Sequence, residues 1–134
     1  MSKSCNGLIK KYPMLFERAA LPMNQTCMCW GIECGDGWYD LLDDLCKKLT
    51  DLIMQLDEDD RKNFEADQVK EKFGGLRFYM TCSTDEMEEL IVEAEHLSER
   101  TCERCGAPGE IRGEGWIMCR CDACHNQWVE AHKK

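Results

Sequence analysis

Apolar residues recur at three- and four-residue spacing through two long stretches of the chain and alternate singly through a segment between them. In residues 37–56 they are Trp38, Leu41, Leu42, Leu45, Leu49, Leu52, Ile53 and Leu56. One stripe of that period predicts an amphipathic helix. Asp36 stands at the expected N-cap, and Asp40 in the first turn complements the helix dipole. The helix should stop near Leu56, before the solvated run DEDDRK. Residues 83–100 carry a second stripe of Met87, Leu90, Ile91, Ala94 and Leu97, and Ser83 with Glu86 makes the S-x-x-E pattern of a capping box. Between the two lies FEADQVKEKFGGLRFYMTC (64–82). Leu76, Phe78 and Met80 alternate there with Arg77, Tyr79 and Thr81, and Gly74-Gly75 is a two-residue turn signal, so a β-hairpin is predicted.

The flanks are less regular. Leu8, Ile9, Tyr12, Leu15, Phe16 and Ala19 lie near helical spacing, with Pro13 opening a second helical part. Residues 21–34 keep no period and read as a loop or a short strand. The expected fold is α+β: two long amphipathic helices flanking a β-hairpin, then a small cysteine-rich tail. With 134 residues the chain suits a body over 1–100 and a metal-binding module over 101–134, packed on it as one cooperative unit.

That tail carries the clearest chemistry. Cys102-x-x-Cys105 and Cys121-x-x-Cys124 are two close pairs separated by fifteen residues. A CxxC turn brings two sulfurs to one ion without strain, and tetrahedral zinc takes four such ligands. Gly106 suits a knuckle that lets backbone N–H groups approach the thiolates. Knuckle, small hairpin and ligands at a helix start is the order of a treble clef, with a zinc ribbon as the alternative. Cys119 could replace Cys121, because the two share a strand face, but only Cys121 makes a CxxC turn with Cys124. His125 could replace Cys124. Four thiolates close the coordination shell, whereas catalytic zinc keeps an open position. No H-E-x-x-H and no deaminase pattern of H-x-E with P-C-x-x-C is present. A structural Zn2+ is therefore expected, one per chain, or two if Cys27, Cys29 and Cys34 form a second site. The plainer reading of those three is small buried side chains, since none of their spacings is a CxxC.

Eleven cysteines without a secretory leader point to metal binding in a reducing cytoplasm rather than to a disulfide framework. No apolar run reaches membrane-span length. The formal charge of −9 is uneven: net +2 over residues 1–35, −11 over 36–100 and zero over 101–134. Nucleic-acid binders carry a basic patch, so this balance argues against them and favours a basic protein partner. Inside the acidic middle, Lys70, Lys72, Arg77 and Tyr79 form a basic and aromatic island. Beside the glycine-rich turn of Cys34-Gly35-Asp36-Gly37-Trp38, it could hold a small anionic ligand such as a nucleotide, with Asp36 and Trp38 in the pocket. The simpler alternative gives Gly35 and Gly37 a turn, Asp36 a cap and Trp38 the core.

CGDGWYDLLDDLC, then QVKEKFGGLRFY, then CERCGAPG with a following Gly-Trp and a cysteine-rich end, resembles a family of small zinc-bearing proteins of phages, prophages and bacteria. The resemblance covers about residues 30–125. It implies a bacterial cytoplasmic setting and supplies no catalytic residue. Cys27, Cys29 and Cys119 are extra to its pattern. The expected function is non-enzymatic binding of a host protein through an acidic face, including mimicry of nucleic-acid charge. A small-anion binder is the alternative, and a nucleotide-cleaving enzyme the second. A homodimer is compatible with either long helix.

Overall fold

The computed structural model describes residues 4–20, 28, 31–113 and 117–131. The described residues form a mixed α+β fold, as expected. Helix α1 (Gly7–Lys11) leads into turns, and a short strand β1 (Ile32–Glu33) precedes a single 3-10 turn at Asp36–Trp38. Helix α2 (Tyr39–Met54) follows, then one turn of helix α3 (Glu58–Arg61) inside the charged run expected to be solvated. Strands β2 (Ala66–Lys72) and β3 (Gly75–Met80) form the hairpin, and α4 (Asp85–Ser98) closes the body. The tail adds β4 (Glu110–Arg112), β5 (Met118–Arg120) and helix α5 (Asp122–Ala131).

The two long helices pack on each other, and α4 also packs on β3. Trp38, Leu42, Leu49 and Ile53 are fully buried, as the periodicity requires, and meet Val69, Leu76 and Phe78 from the sheet. Each such aliphatic side chain contributes about 1.5–3 kcal/mol on burial. The sheet order is β1-β2-β3, with β1 parallel to β2 and β2 antiparallel to β3. The parallel pair joins Ile32 to Val69, a pairing no local pattern announces.

Several sequence expectations shift by a residue or two. The hairpin turn is Phe73-Gly74, not Gly74-Gly75: both have positive φ (54° and 84°), while Gly75 is already in β3 opposite Lys72. Two positive φ values define the twist that fits a two-residue hairpin. The N-cap of α4 is Thr84, whose Oγ1 accepts from the Met87 N–H at 3.3 Å, while the Ser83 hydroxyl pairs with Glu88. Asp36 does not cap α2. It sits in the 3-10 turn and accepts the Cys5 N–H at 3.0 Å. Leu97, expected in the core, is 45% exposed, and Ser98 is buried in its place.

Ser98 has a physical reason to be inside. β3 is an edge strand, and its outward amides need acceptors. Ser98 Oγ accepts the Leu76 N–H at 2.9 Å and donates to the Glu95 carbonyl, and Glu95 Oε2 accepts the Phe78 N–H at 3.2 Å. Helix α4 thus covers the sheet edge with side-chain acceptors instead of another strand.

Candidate metal centre

The four cysteines of the two CxxC pairs converge. One sulfur from each of Cys102, Cys105, Cys121 and Cys124 lies within 4.8 Å of the others, an arrangement able to hold a metal ion and compatible with zinc. The Cys105 and Cys121 sulfurs are 3.6 Å apart. A tetrahedron with 2.3 Å metal–sulfur bonds has an edge of about 3.8 Å.

Local backbone chemistry builds each half. In the first knuckle, Cys102 N–H donates to the Ala107 carbonyl at 2.7 Å and Gly106 N–H to the Cys102 carbonyl at 2.9 Å. The turn needs Gly106 at φ +86°. β4 and β5 pair from Glu110–Arg120 to Arg112–Met118 and return the chain to the site. Cys121 then immediately precedes α5. Its sulfur accepts the Cys124 N–H at 3.4 Å, so one ligand caps the helix that carries the other. The positive end of the helix favours thiolate there.

Ionisation of the set is uneven. Burial pushes the Cys102 thiol up, but the N–H groups of Cys121, Cys105 and Arg104 outweigh it and bring Cys102 down to about 6. Burial pushes Cys124 up to about 12, and the neighbouring sulfurs of Cys121, Cys105 and Cys102 push the same way. Four sulfurs this close cannot all carry charge unaided. A divalent cation relieves that repulsion and lets every ligand ionise.

The two competitors stand aside. Cys119 is fully buried, its thiol donates to the Thr101 carbonyl at 3.1 Å, and burial pushes its pKa up to about 11. It packs under the site as a thiol. His125 donates its backbone N–H to the Cys121 carbonyl at 2.9 Å, and its Nδ1 is buried with no partner among the described residues. Of the suggested second site, Cys27 and Cys29 lie outside the described residues. Cys34 is half-buried beside Cys5, whose thiol hydrogen bond is the first cause raising its pKa, ahead of burial.

The glycine-rich turn serves the knuckle. Gly37 N–H donates to the Glu103 carbonyl at 2.7 Å, and Gly35 N–H to Glu103 Oε2 at 2.7 Å. The Trp38 indole donates to the Thr101 carbonyl at 2.8 Å. A Cβ on Gly37 would lie 2.3 Å from the Cys102 carbonyl oxygen, and one on Gly35 2.4 Å from that of Glu103. The close approach that glycine permits is made here by the backbone of the cysteine knuckle. Trp38 is fully buried, and Asp36 is exposed with one carboxylate oxygen on the Cys5 N–H. Lys70 and Arg77 are cross-strand neighbours on the sheet face opposite buried Val69 and Phe78, and Tyr79 is exposed beside them in register with Gln68. Lys72 is exposed at the hairpin tip.

Fold and site together describe a small α+β protein with a four-cysteine tail able to hold a metal ion. Comparison with known proteins finds no matching family model, no similar curated protein and no similar solved structure. Among the described residues no helix is long and apolar enough to cross a membrane.

Proposed function

We propose that this is a non-enzymatic zinc protein that acts by binding a basic protein partner through the acidic surface of its two long helices. The observation that carries the reading is the placement of charge. α2 and α4 pack side by side, and Asp51, Glu86, Glu89 and Glu93 line the space between them without an ion pair among the described residues. Unpaired carboxylates around an apolar floor favour a cationic partner and repel nucleic acid. The four-thiolate set supports a closed, structural Zn2+ rather than a catalytic one, since no coordination position is left for water. The order knuckle, β4–β5 hairpin, α5 supports a treble-clef description of the tail. The motif resemblance adds a phage or bacterial cytoplasmic setting, in which the partner is a host protein.

A second reading keeps a small anion as ligand. It is favoured by Lys70 and Arg77 standing in register on one sheet face, while Trp38 is fully buried and Asp36 holds the Cys5 N–H. One comparison separates the two. Wild type, an Asp51→Asn/Glu86→Gln/Glu89→Gln/Glu93→Gln variant and a Lys70→Gln/Arg77→Gln variant are used as baits in bacterial lysate at moderate salt. Proteins held by wild type and by the sheet variant but lost by the helix variant support the proposal. The opposite pattern, with a thermal shift on adding a nucleotide, favours the anion reading. Metal-dependent turnover of that nucleotide would establish an enzyme instead.

A further inference from the structure

We infer that the groove between α2 and α4 docks one basic amphipathic helix of a protein partner. The inference rests on the acidic-surface reading above and adds to it the site and the shape of the occupant. The groove has a chamber of about 340 Å³ and a smaller one of about 110 Å³, which share Lys48, Leu90 and Glu93 in their walls. Its floor is apolar: Leu41, Leu45, Leu52, Leu90, Ala94 and Leu97. Leu97 is the residue that the helical period placed in the core and the structure leaves 45% exposed, at one end of this floor. The rims are acidic, with Asp44 and Asp51 on α2 and Glu86, Glu89 and Glu93 on α4. Among the described lining residues Lys48 is the one cation, and it is tied to Asp44 at 2.9 Å. The rims therefore hold a net charge of −4 along a cleft whose base is leucine and alanine.

This combination selects its occupant. An extended peptide would leave its backbone N–H and C=O groups unpaired on an apolar floor, and two helices offer no strand edge to receive them. A helix satisfies its own backbone and presents a stripe at i, i+3, i+4 and i+7 that fits between two parallel ridges. With α2 and α4 of 16 and 14 residues, the groove takes about four turns, or about 20 Å, of such a helix. Lysines or arginines flanking the stripe meet the five carboxylates. A second copy of this chain would bring two acidic rims face to face, and anionic lipid headgroups would be repelled.

The test uses the whole isotope-labelled protein and two synthetic Leu/Lys peptides of about 14 residues and identical composition. One has its leucines in a helical stripe, and the other is scrambled. The expected result is that the striped peptide binds at least about tenfold more tightly than the scrambled one and moves amide resonances in α2 and α4 around Leu90. Glu89→Gln/Glu93→Gln and, separately, Leu97→Gln then weaken it several-fold with melting temperatures unchanged. Equal binding of both peptides, lost on neutralising the rims, overturns the groove while the acidic-surface reading stands. Binding of neither peptide overturns both. Perturbations mapping elsewhere, or a dimer formed through α2 and α4 without peptide, overturn the groove as the docking site.

Discussion

Glu103 shows how much one residue between two ligands can carry. Its N–H donates to the Cys119 carbonyl, its carbonyl accepts from Gly37 and its carboxylate accepts from Gly35. Burial raises its pKa above the ordinary 4.5, the Gly35 N–H and Arg120 oppose this, and Glu71 adds to it. A carboxyl whose folded pKa is raised binds more protons folded than unfolded, so its contribution to stability falls as pH rises from about 4.5 through the folded value. Glu103→Gln removes that dependence and keeps an oxygen for Gly35. Melting curves should show the variant gaining on wild type as the pH is taken from about 5 to neutral. A constant difference would contradict this account of Glu103. Glycines of this chain differ sharply in what surrounds them. Gly37→Ala drives a Cβ into the knuckle backbone and should cost at least about 2 kcal/mol, whereas Gly7, with nothing within 4 Å, should accept alanine at no cost or gain about 0.5 kcal/mol in α1. Denaturant midpoints of the two variants check both.

Among the elements, the hairpin holds a local conflict. Phe73 occupies a left-handed conformation at φ 54° and is 64% exposed, with the Lys72 ammonium 5.7 Å from its ring. A bulky residue there costs about 1–2 kcal/mol, partly offset by an exposed cation–π contact of about 0.5 kcal/mol. Phe73→Asn makes the Asn-Gly turn that this geometry favours and should raise stability by about 0.5 kcal/mol in urea unfolding. Elements of this kind were legible where physics is local. The α2 stripe, the β2–β3 alternation and the CxxC spacing each follow from period or ligand geometry. The misplaced details have local causes too: Ser83 and Thr84 are both good caps, and Gly74-Gly75 hides which pair turns. Ser98 could not be foreseen as buried, because its use depends on the amide of Leu76, twenty-two residues away.

For the molecule as a whole, the illegible part was the joint between body and tail. Gly35-Asp36-Gly37 looks in sequence like a ligand loop because glycine permits close approach, and only the fold shows that residues 102–106 are what approaches. The joint continues beyond the knuckle. Trp38 reaches Thr101, Gly109 N–H donates to the Arg100 carbonyl at 2.9 Å, and a Cβ on Gly74 would contact Ile111 at 3.3 Å. With the largest core side chain hydrogen-bonded into the tail, metal binding and folding of the helices should be one equilibrium. Loss of the ion should therefore be felt at α2, which contains no ligand.

One metal ion on Cys102, Cys105, Cys121 and Cys124 is expected to hold both tail and body. The measurement is elemental analysis of the purified protein together with thermal unfolding followed at the helical signal, with and without a strong chelator. The expected result is one zinc per chain from this site, retained in Cys119→Ala, lost in Cys121→Ser, and a cooperative helical transition that chelation moves to markedly lower temperature. Protein with no bound metal, metal retained undiminished in Cys121→Ser, or helices that melt unchanged after chelation would contradict it.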